Sequence, residues 1–283
     1  MVDVKILEKL VCPCCKGRVS ESVDGRSLVC SAPRRHCFDF AASGYVNLAP
    51  SHSGGGDSKS AVRSRTAFLD SGAYERVSDA LNDIISEEIA GGGFVVDAGC
   101  GEGYYSCRLS ERGFLVAGFD LSKDAVAHAS KRAKRESLKN TFFGVGSVFE
   151  LPVADGAADA VINIFAPCVE AEYRRVLKPG GILAVAYAGK DHLMGLKKFI
   201  YENVYENEIR TDLPEKMALL YERRVKFDLS LESNEQIMNL FSMTPYYWRT
   251  SVADKQKLEG VGGLDTEVDV IIAIYKNECE ETL

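Results

Sequence analysis

From Phe94 onward, short apolar runs rich in β-branched residues alternate with segments of helical spacing. Such runs predict buried strands, and the helices between them predict a parallel sheet covered on both faces. The predicted strands are Phe94–Ala98, Phe114–Phe119, Thr141–Val145, Ala158–Phe165 and Gly181–Tyr187, and the helices are Tyr104–Glu111, Ser122–Arg135 and Val169–Leu177. After residue 190 the pattern predicts helices at Lys190–Asn207 and Asn234–Phe241, and strands at Val225–Leu231 and Glu267–Tyr275. With two late strands at its edge the sheet would have seven strands, so the chain is expected to be an α/β protein.

The first 92 residues follow a different pattern. Residues 1–50 are rich in Cys, Gly and Arg with short β-like runs, and Ser51–Gly56 has the composition of a linker or mobile loop. Helical spacing then returns around Ala61–Leu69 and over Glu75–Ile89, where Gly91–Gly93 ends it. We therefore expect a small domain at 1–50, a linker with helices at 51–92, and the α/β domain at 93–283.

A glycine loop follows the first strand of the α/β domain, where Asp97 is followed by Gly99, Gly101 and Gly103. Glycines let the backbone approach a ligand, and the next helix presents free N–H groups there. The spacing differs from Gly-x-Gly-x-x-Gly of dinucleotide sites, although an oxidoreductase with an irregular loop stays an alternative. Asp120 ends the second strand, where an acid can accept ribose hydroxyls. The pattern resembles class I methyltransferases, and these five residues are expected to bind S-adenosylmethionine.

Five of the nine cysteines fall in the first forty residues. In a reducing compartment such a cluster favours metal binding over disulfides, with free or redox-active cysteines as the alternative. The spacing predicts one structural zinc ion with four ligands, at Cys12, Cys15, Cys30 and His36. Cys14 is not needed as a ligand, and Cys37 could take the place of His36.

Charge is distributed unevenly along the chain. Residues 1–65 contain ten Lys/Arg and six Asp/Glu, whereas the whole chain has a net charge of −7. This asymmetry suggests a basic module that meets a polyanion and an acidic catalytic body. No apolar stretch is long enough to span a bilayer and no signal peptide begins the chain, so we expect a cytoplasmic protein without a membrane partner.

Several short motifs occur in an order that is more specific than any one of them. The chain resembles the bacterial 23S rRNA (guanine-N1)-methyltransferase family over nearly its whole length, least between about residues 205 and 240. The motifs are His36-Cys-Phe-Asp39, Gly44-Tyr-Val-Asn-Leu48, Gly56-Asp-Ser58, Phe68-Leu-Asp-x-Gly-x-Tyr74, Phe165-Ala-Pro-Cys168, His192-Leu-Met194 and Met243-Thr-Pro245, with the glycine loop between the fourth and the fifth.

The resemblance implies methyl transfer from S-adenosylmethionine to N1 of a guanine in a 23S rRNA hairpin loop. It also implies a zinc on the four residues named above, a homodimer, and cofactor contacts from Tyr74, the Gly103–Tyr104 turn and His192. One departure is that five residues, Ser31–Arg35, separate the last cysteine from the histidine where the family usually has three. The ribbon is therefore expected to bulge at Pro33, and the fourth ligand stays open between His36 and Cys37.

Guanine N1 carries a proton that must leave on methylation, and the chain offers three candidate bases, Asp39, Asp57 and His192. Phe165 or the pair Tyr104 and Tyr105 could stack on the target base. Arg34 and Arg35 in the ribbon are expected to contact RNA, and Arg63 and Arg65 could meet phosphates. Two alternatives stay open: a methyltransferase for a small molecule or protein that uses only the C-terminal domain, and an RNA-binding protein that holds the cofactor without transferring methyl.

Overall fold

The computed structural model describes residues 2–33, 35–49, 56–204, 206–207, 210 and 212–278. Arg34, Cys279 and most of the linker Ser51–Gly56 therefore lie outside the described residues. Among the described residues, no helix is both long and apolar enough to cross a membrane.

The N-terminal segment forms a small three-stranded unit. Helix α1 (Val4–Leu7) precedes antiparallel strands β1 (Val19–Glu21), β2 (Ser27–Cys30) and β3 (Cys37–Asp39), in the order β1-β2-β3. The Cys30 backbone N–H donates to the His36 carbonyl at 3.0 Å, and of the residues between them Ser31–Pro33 and Arg35 lie outside the strands. Val29 pairs with Cys37, so the segment around Pro33 connects β2 to β3, and the expected bulge there stays a prediction.

The main sheet has eight strands, in the order β10-β11-β9-β8-β5-β6-β7-β4. Its strands are β4 (Val46–Asn47), β5 (Phe94–Ala98), β6 (Leu115–Asp120), β7 (Thr141–Val145), β8 (Ala158–Ile164), β9 (Leu177–Ala188), β10 (Ala218–Leu231) and β11 (Leu264–Lys276). The strands from β4 to β9 pair in parallel, while β11 pairs antiparallel with β9 and β10. The seven expected strands are present. The expected number of seven strands is one too few, because the two-residue β4 forms an eighth strand.

Nine further helices surround this sheet in the described part of the chain. They are α2 (Lys59–Asp70), α3 (Glu75–Glu88), α4 (Tyr104–Glu111), α5 (Lys123–Arg135), α6 (Glu170–Val176), α7 (Met194–Ile200), α8 (Asn234–Ser242), α9 (Tyr246–Arg249) and α10 (Val252–Gln256). Successive residues of the central strands pack into different hydrophobic clusters, one on each face of the sheet. Val95 and Val116 belong to one cluster, and Val96 and Ala117 belong to the other. This period of two explains why the strands are apolar throughout, since both faces are covered.

The ribbon covers part of one sheet face. No helix lies in the connection from β7 to β8 (146–157), all of which the structure describes. Instead, Leu10 bridges to Val153, and the Val11 N–H donates to the Pro152 carbonyl at 3.0 Å. Ile6, Leu10 and Leu28 share a core cluster with Val96 of β5. A parallel crossover usually needs a helix to cover the sheet, and here the ribbon occupies that place.

The predicted helix over Lys190–Asn207 is wrong at both ends. Only Met194–Ile200 is helical. Leu193 has a left-handed backbone (φ 57°) and its N–H donates to the Glu267 carbonyl of β11. Pairing with β11 therefore takes the backbone groups that a longer helix would need at its start, and Tyr201 returns to an extended conformation at the other end.

Candidate functional site

The glycine loop joins β5 to α4 at the carboxyl edge of the parallel strands. Gly99 and Gly103 have positive φ angles of 96° and 83°. A Cβ at either position would lie 2.7 Å from an alanine Cβ, on Ala166 and Ala129 respectively. Both positions therefore require glycine for conformation and for space. Gly101 is also left-handed (φ 52°), and its N–H donates to Oδ2 of Asp120 at 3.1 Å, which ties the loop to the end of β6.

Asp97 lies at the floor of this loop and is 2% exposed. One carboxylate oxygen accepts a hydrogen bond from the Ser106 hydroxyl of α4 at 2.5 Å. Burial raises the pKa of Asp97 to about 7, and the nearby carboxylates of Asp120 and Glu102 act in the same direction. A cationic group bound here would restore the charged form, since it would replace lost hydration by a direct ion pair.

Asp120 is held by two backbone donors and lies beside an ion pair. Its Oδ1 accepts from the Ser122 N–H at 2.8 Å, and its Oδ2 accepts from Gly101. Each oxygen keeps a second lone pair that a hydroxyl could use. Arg65 of α2 forms an ion pair with Asp57, and the Ser122 hydroxyl donates to the Asp57 carbonyl at 2.7 Å. Burial raises the pKa of Asp120, and the charge of Asp57 adds to this.

Tyr74, Phe165 and His192 form an aromatic group. The Tyr74 hydroxyl oxygen lies 3.2 Å from Nε2 of His192, and both residues are buried. The Phe165 ring stacks on His192 with 5.9 Å between centroids and 25° between planes, and it lies 6.5 Å from Tyr74. Phe165 has a left-handed backbone (φ 52°), which is strained for a bulky residue, and is 44% exposed. One face of its ring is thus supported by protein while part of the side chain meets solvent.

His192 has both ring nitrogens occupied. Its Nδ1 accepts from the Asp269 backbone N–H at 3.1 Å, so the neutral ring carries its proton on Nε2, toward Tyr74. Burial, with Lys197 acting in the same direction, lowers the pKa of His192 to about 4. A neutral imidazole with its lone pair already bonded is a poor proton acceptor, so this arrangement argues against His192 as the base.

The other two candidate bases are also engaged. Asp57 is paired with Arg65. Asp39 lies on β3 of the ribbon, where its Oδ1 accepts from the Ser27 hydroxyl at 2.7 Å and lies 3.9 Å from Sγ of Cys37. The three residues expected to compete for one role are therefore not brought together.

Tyr104 begins α4 directly after Gly103, but its ring faces charged residues of the helices. The Arg108 and Arg132 guanidinium carbons lie 5.6 Å and 5.8 Å from its centroid, and Tyr105 packs edge-on at 5.1 Å. Only the Tyr104 backbone stays at the glycine loop. Arg132 itself is buried and paired with Glu102 at 2.6 Å, so this basic residue of α5 is not available to a phosphate.

The four expected metal ligands converge at the base of the ribbon. Their ligand atoms all lie within 4.8 Å of one another. The Nδ1 atom of His36 is 3.6 Å from Sγ of Cys12 and 3.5 Å from Sγ of Cys30, and the Sγ atoms of Cys15 and Cys30 are 3.8 Å apart. Sulfur and nitrogen ligands of a tetrahedral zinc ion, at about 2.3 Å and about 2.0 Å from the metal, are separated by roughly 3.5–3.8 Å. The residues therefore fit a four-coordinate structural zinc.

Local backbone geometry prepares this cluster. The Cys12 N–H donates to the Gly17 carbonyl and the Lys16 N–H to the Cys12 carbonyl, both at 2.8 Å, which closes the turn carrying two of the cysteines. The His36 N–H donates to Sγ of Cys30 at 3.1 Å and lowers the pKa of that thiol to about 6. A thiolate is the form that binds zinc, so the hydrogen bond favours the ligand state.

Replacing His36 with alanine is expected to remove zinc, whereas Cys37→Ala is expected to keep it. Cys37 is exposed and its Sγ lies 3.9 Å from the Asp39 carboxylate, outside the cluster. Zinc content per chain, measured by mass spectrometry of freshly purified protein, checks this. Full zinc in the His36 variant together with loss in the Cys37 variant would reverse the assignment.

Some residues around the loop were not found by sequence analysis. Asn163 of β8 donates from its amide to the Ala98 carbonyl at 3.3 Å and to the Pro167 carbonyl at 3.0 Å, which joins the end of β5 to the turn after Phe165. Asn207 donates to the His192 carbonyl at 2.9 Å. Neither residue belongs to a glycine-rich or charged motif, so nothing local in the sequence distinguishes them from other asparagines.

The glycine loop, the acid that ends β6 and the mainly parallel sheet define a class I S-adenosylmethionine-dependent methyltransferase with an N-terminal zinc ribbon. The donor set fits this cofactor: Asp97 is a buried acid, Asp120 keeps lone pairs for hydroxyl groups, and the basic side chain beside the loop, Arg65, is paired with Asp57.

Comparison with known proteins supports both the methyltransferase domain and the zinc ribbon. A methyltransferase-domain family model matches residues 90–242, and the zinc-ribbon model described as "RlmA, N-terminal" matches residues 10–54. YxjB of Bacillus subtilis, provisionally named a 23S rRNA (guanine-N(1)-)-methyltransferase, is 30% identical over 93% of this chain and 95% of its own length. The 23S rRNA (guanine(748)-N(1))-methyltransferase of Streptomyces fradiae is 36% identical over 68% of this chain and 67% of its own.

Among solved structures, the YcgJ protein from Bacillus subtilis aligns at a TM-score of 0.49 with 17% identity, covering 71% of this chain and 99% of that chain. On the sequence matches, the chain belongs to the 23S rRNA (guanine-N1)-methyltransferase family.

Proposed function

We propose that this protein transfers the methyl group of S-adenosylmethionine to N1 of a guanine in a hairpin loop of 23S rRNA. The observation that carries the proposal is the extent of the similarity to YxjB, which covers 93% of this chain and so includes the ribbon as well as the catalytic domain. A methyltransferase of small molecules or proteins would share the α/β domain and would have little use for the ribbon.

In this proposal the cofactor lies over the glycine loop. The N–H groups at the start of α4 and the Asp97 carboxylate bind its amino-acid end, and Asp120 accepts hydrogen bonds from its ribose. Tyr74 and His192 form a wall of the same pocket. Because His192 donates from Nε2 to the Tyr74 oxygen, the Tyr74 hydroxyl hydrogen is free to donate into the pocket.

When bound, S-adenosylmethionine supplies an electrophilic methyl group on a sulfonium, so the protein's main task is to align the guanine with it. We propose that the guanine leaves its stack and packs on the outer face of Phe165, whose inner face is held by His192. Asp57 and His192 are engaged by other groups and Asp39 lies in the ribbon. The N1 proton therefore passes to solvent water rather than to one of these side chains.

We also propose that three segments of the chain have different functions. Residues 1–50 recognise RNA, 51–92 lead into the catalytic domain, and 93–283 bind the cofactor. Arg35 is exposed in the loop between β2 and β3, which suits a phosphate contact, whereas Arg65 is occupied by Asp57. Because Val46–Asn47 pairs with β7, the end of the first segment also completes the sheet of the catalytic domain. A cytoplasmic homodimer is part of this proposal and follows from family resemblance.

The test is methyl transfer from labelled cofactor to an unmodified 23S transcript, with a 16S transcript of the same preparation as the control. N1-methylguanine blocks the pairing edge of the base, so primer extension should stop at one loop guanine. Label that stays out of 23S RNA and enters a small-molecule or protein fraction would contradict the proposal.

Cofactor affinity is expected to fall as the pH falls, because Asp97 binds a cation only when ionised. With a pKa of about 7 for Asp97 in the free protein, lowering the pH from about 7.5 to about 6 should raise the Kd for S-adenosylmethionine about tenfold. Calorimetric titration over this range measures it.

The pKa of the neighbouring Asp120 is also raised, so the Asp97→Asn variant is the control. It should bind weakly, with a Kd that no longer changes over the same pH range. A Kd that is flat in the unmodified protein would show that Asp97 does not titrate with binding.

A further inference from the structure

A group of exposed apolar and basic side chains lies on three short helices in the C-terminal third of the chain. Trp248, the only tryptophan of the protein, is 75% exposed on α9, and Val252 of α10 and Phe199 of α7 are also exposed, at 73% and 39%. We call this surface the Trp248 patch; it consists of Phe199, Tyr247, Trp248, Arg249, Val252 and Lys255. An exposed group of large apolar side chains on a protein surface commonly marks a binding site.

The three helices are fixed to one another by specific contacts. The Lys197 ammonium of α7 lies 5.0 Å from the Tyr246 ring centroid of α9, and the Tyr201 and Thr250 hydroxyl oxygens are 2.7 Å apart. Lys257, after α10, donates to the Ile200 carbonyl at 3.1 Å. The patch is therefore presented by a packed surface rather than by independent segments.

Within the patch, aromatic rings and cations alternate. The Tyr247 and Trp248 rings are perpendicular, with centroids 5.2 Å apart, and the Lys255 ammonium lies 4.1 Å from the Tyr247 centroid. Tyr247 is held from inside by Phe241, edge-on at 5.4 Å. Trp248 thus projects from a supported base, which lowers the entropic cost of using its ring in binding.

The charge of the patch opposes that of the chain. Helices α7, α9 and α10 present Lys198, Arg249 and Lys255 and one acid, Asp254, while Lys197 is buried and the whole chain has a net charge of −7. Asp254 is itself paired with Lys257 at 2.7 Å. A locally basic surface with exposed rings on an acidic protein is suited to a polyanion that has stacking groups.

The patch is connected to the wall of the cofactor pocket. Tyr246, the residue before Tyr247, donates from its hydroxyl to Oδ1 of Asn207 at 2.7 Å. The Asn207 amide donates in turn to the His192 carbonyl at 2.9 Å. The Asn207 side chain therefore links α9 to His192, the residue on which Phe165 stacks. A strand of RNA bound at Phe165 could extend from there to the Trp248 patch.

We propose that the Trp248 patch is a second RNA-contact surface, on the catalytic domain, which stacks on unpaired nucleotides next to the target guanine. This inference rests on the proposed function for the identity of the polyanion as RNA. Trp248 stacks on a base, while Arg249 and Lys255 contact the adjoining phosphates. The ribbon then recognises one part of the substrate and the patch holds the opened loop at the pocket.

The single tryptophan provides a direct test with the full, zinc-loaded chain. We expect its fluorescence to be quenched by a 23S rRNA hairpin that contains the guanine loop, and much less by a duplex of the same stem without the loop. Emission that the hairpin leaves unchanged, while anisotropy of a labelled hairpin shows binding, would overturn the inference.

Substitutions then separate stacking from charge. Trp248→Ala should raise the Kd for the hairpin about tenfold, and Trp248→Phe should restore most of the affinity. Arg249→Ala should lower the salt dependence of binding by about one unit in the slope of log K against log salt. Leu220→Ala, which removes an exposed apolar side chain from β10, is the matched control and should change neither.

The outcomes also distinguish this inference from the proposed function. If the protein methylates the hairpin and Trp248→Ala leaves both Kd and kcat/KM unchanged, the patch is not an RNA surface and the function stands. If the hairpin quenches Trp248 and accepts no methyl group, the patch is supported and the function fails. If Trp248→Ala alters the sedimentation of the protein and not its RNA affinity, the partner is a second copy of the chain and the inference is wrong.

Discussion

Asp120→Ala is expected to weaken S-adenosylmethionine binding about 100-fold while the fold remains intact. The substitution removes a charged acceptor of the ribose hydroxyls, and hydrogen bonds to charged groups contribute about 1.5–3 kcal/mol each. It also removes the acceptor of the Gly101 N–H, so the loop loses one of its ties to β6. Calorimetric titration of cofactor into the purified variant measures the change in Kd.

Asp124→Ala is the matched control for this experiment. Asp124 lies four residues further on, in the first turn of α5, and its carboxylate is 4.0 Å from exposed Lys59. It should bind the cofactor like the unmodified protein. An Asp120 variant that keeps full affinity and a native circular dichroism spectrum would refute the assigned role.

Cys12→Ser is expected to lose zinc, to lower the thermal midpoint of unfolding, and to reduce methylation of 23S RNA at least about 100-fold. Binding of structural zinc is coupled to the folding of small domains, so the ribbon would not keep its structure without the metal. Because Leu10 and Leu28 share a core with Val96, part of the sheet face would also lose its cover. Zinc analysis, calorimetry and the RNA methylation assay measure the three effects.

Cofactor affinity should change far less than RNA methylation in this variant, since the glycine loop is held by β6 and α4 rather than by the ribbon. Cys14→Ser is the matched control, because Cys14 is exposed and lies outside the cluster. Loss of zinc with unchanged methylation of 23S RNA would show that the ribbon has no part in substrate recognition.

Local patterns in the sequence were enough to predict the central strands and helices of the catalytic domain. Strands β5 and β7 and helix α4 have the predicted bounds, and the other central elements differ by a few residues at their ends. These elements are predictable because burial on both faces makes parallel strands apolar throughout, and because Gly103 starts a helix and Gly113 follows the end of it. The four residues expected to bind zinc also came together as a possible metal site.

The prediction failed where a distant strand decides the local conformation. Residues 190–193 have helical composition, yet they form a turn in which the Leu193 N–H donates to the Glu267 carbonyl of β11, more than seventy residues later. The two-residue strand β4 was missed for the same reason, since only its neighbour β7 makes it a strand. The late helices α9 and α10 are four and five residues long, too short for a periodic signal.

The glycine loop, the acid that ends β6 and the three cysteine ligands were determined by the sequence itself, because each depends on residue types at short, fixed spacings, whereas the choice of His36 over Cys37 came from the structure. Only the tertiary structure decided the burial, the ionisation and the hydrogen-bond partners of the side chains in the site. It buried Asp97 and raised its pKa, paired Arg65 with Asp57, and engaged both nitrogens of His192. It also replaced a crossover helix with the ribbon and placed the helix that carries Trp248 one side chain from the pocket wall. Burial, pKa and hydrogen bonding depend on which residues from distant parts of the sequence pack around a side chain and exclude water from it. The spacing of neighbouring residues does not specify those contacts.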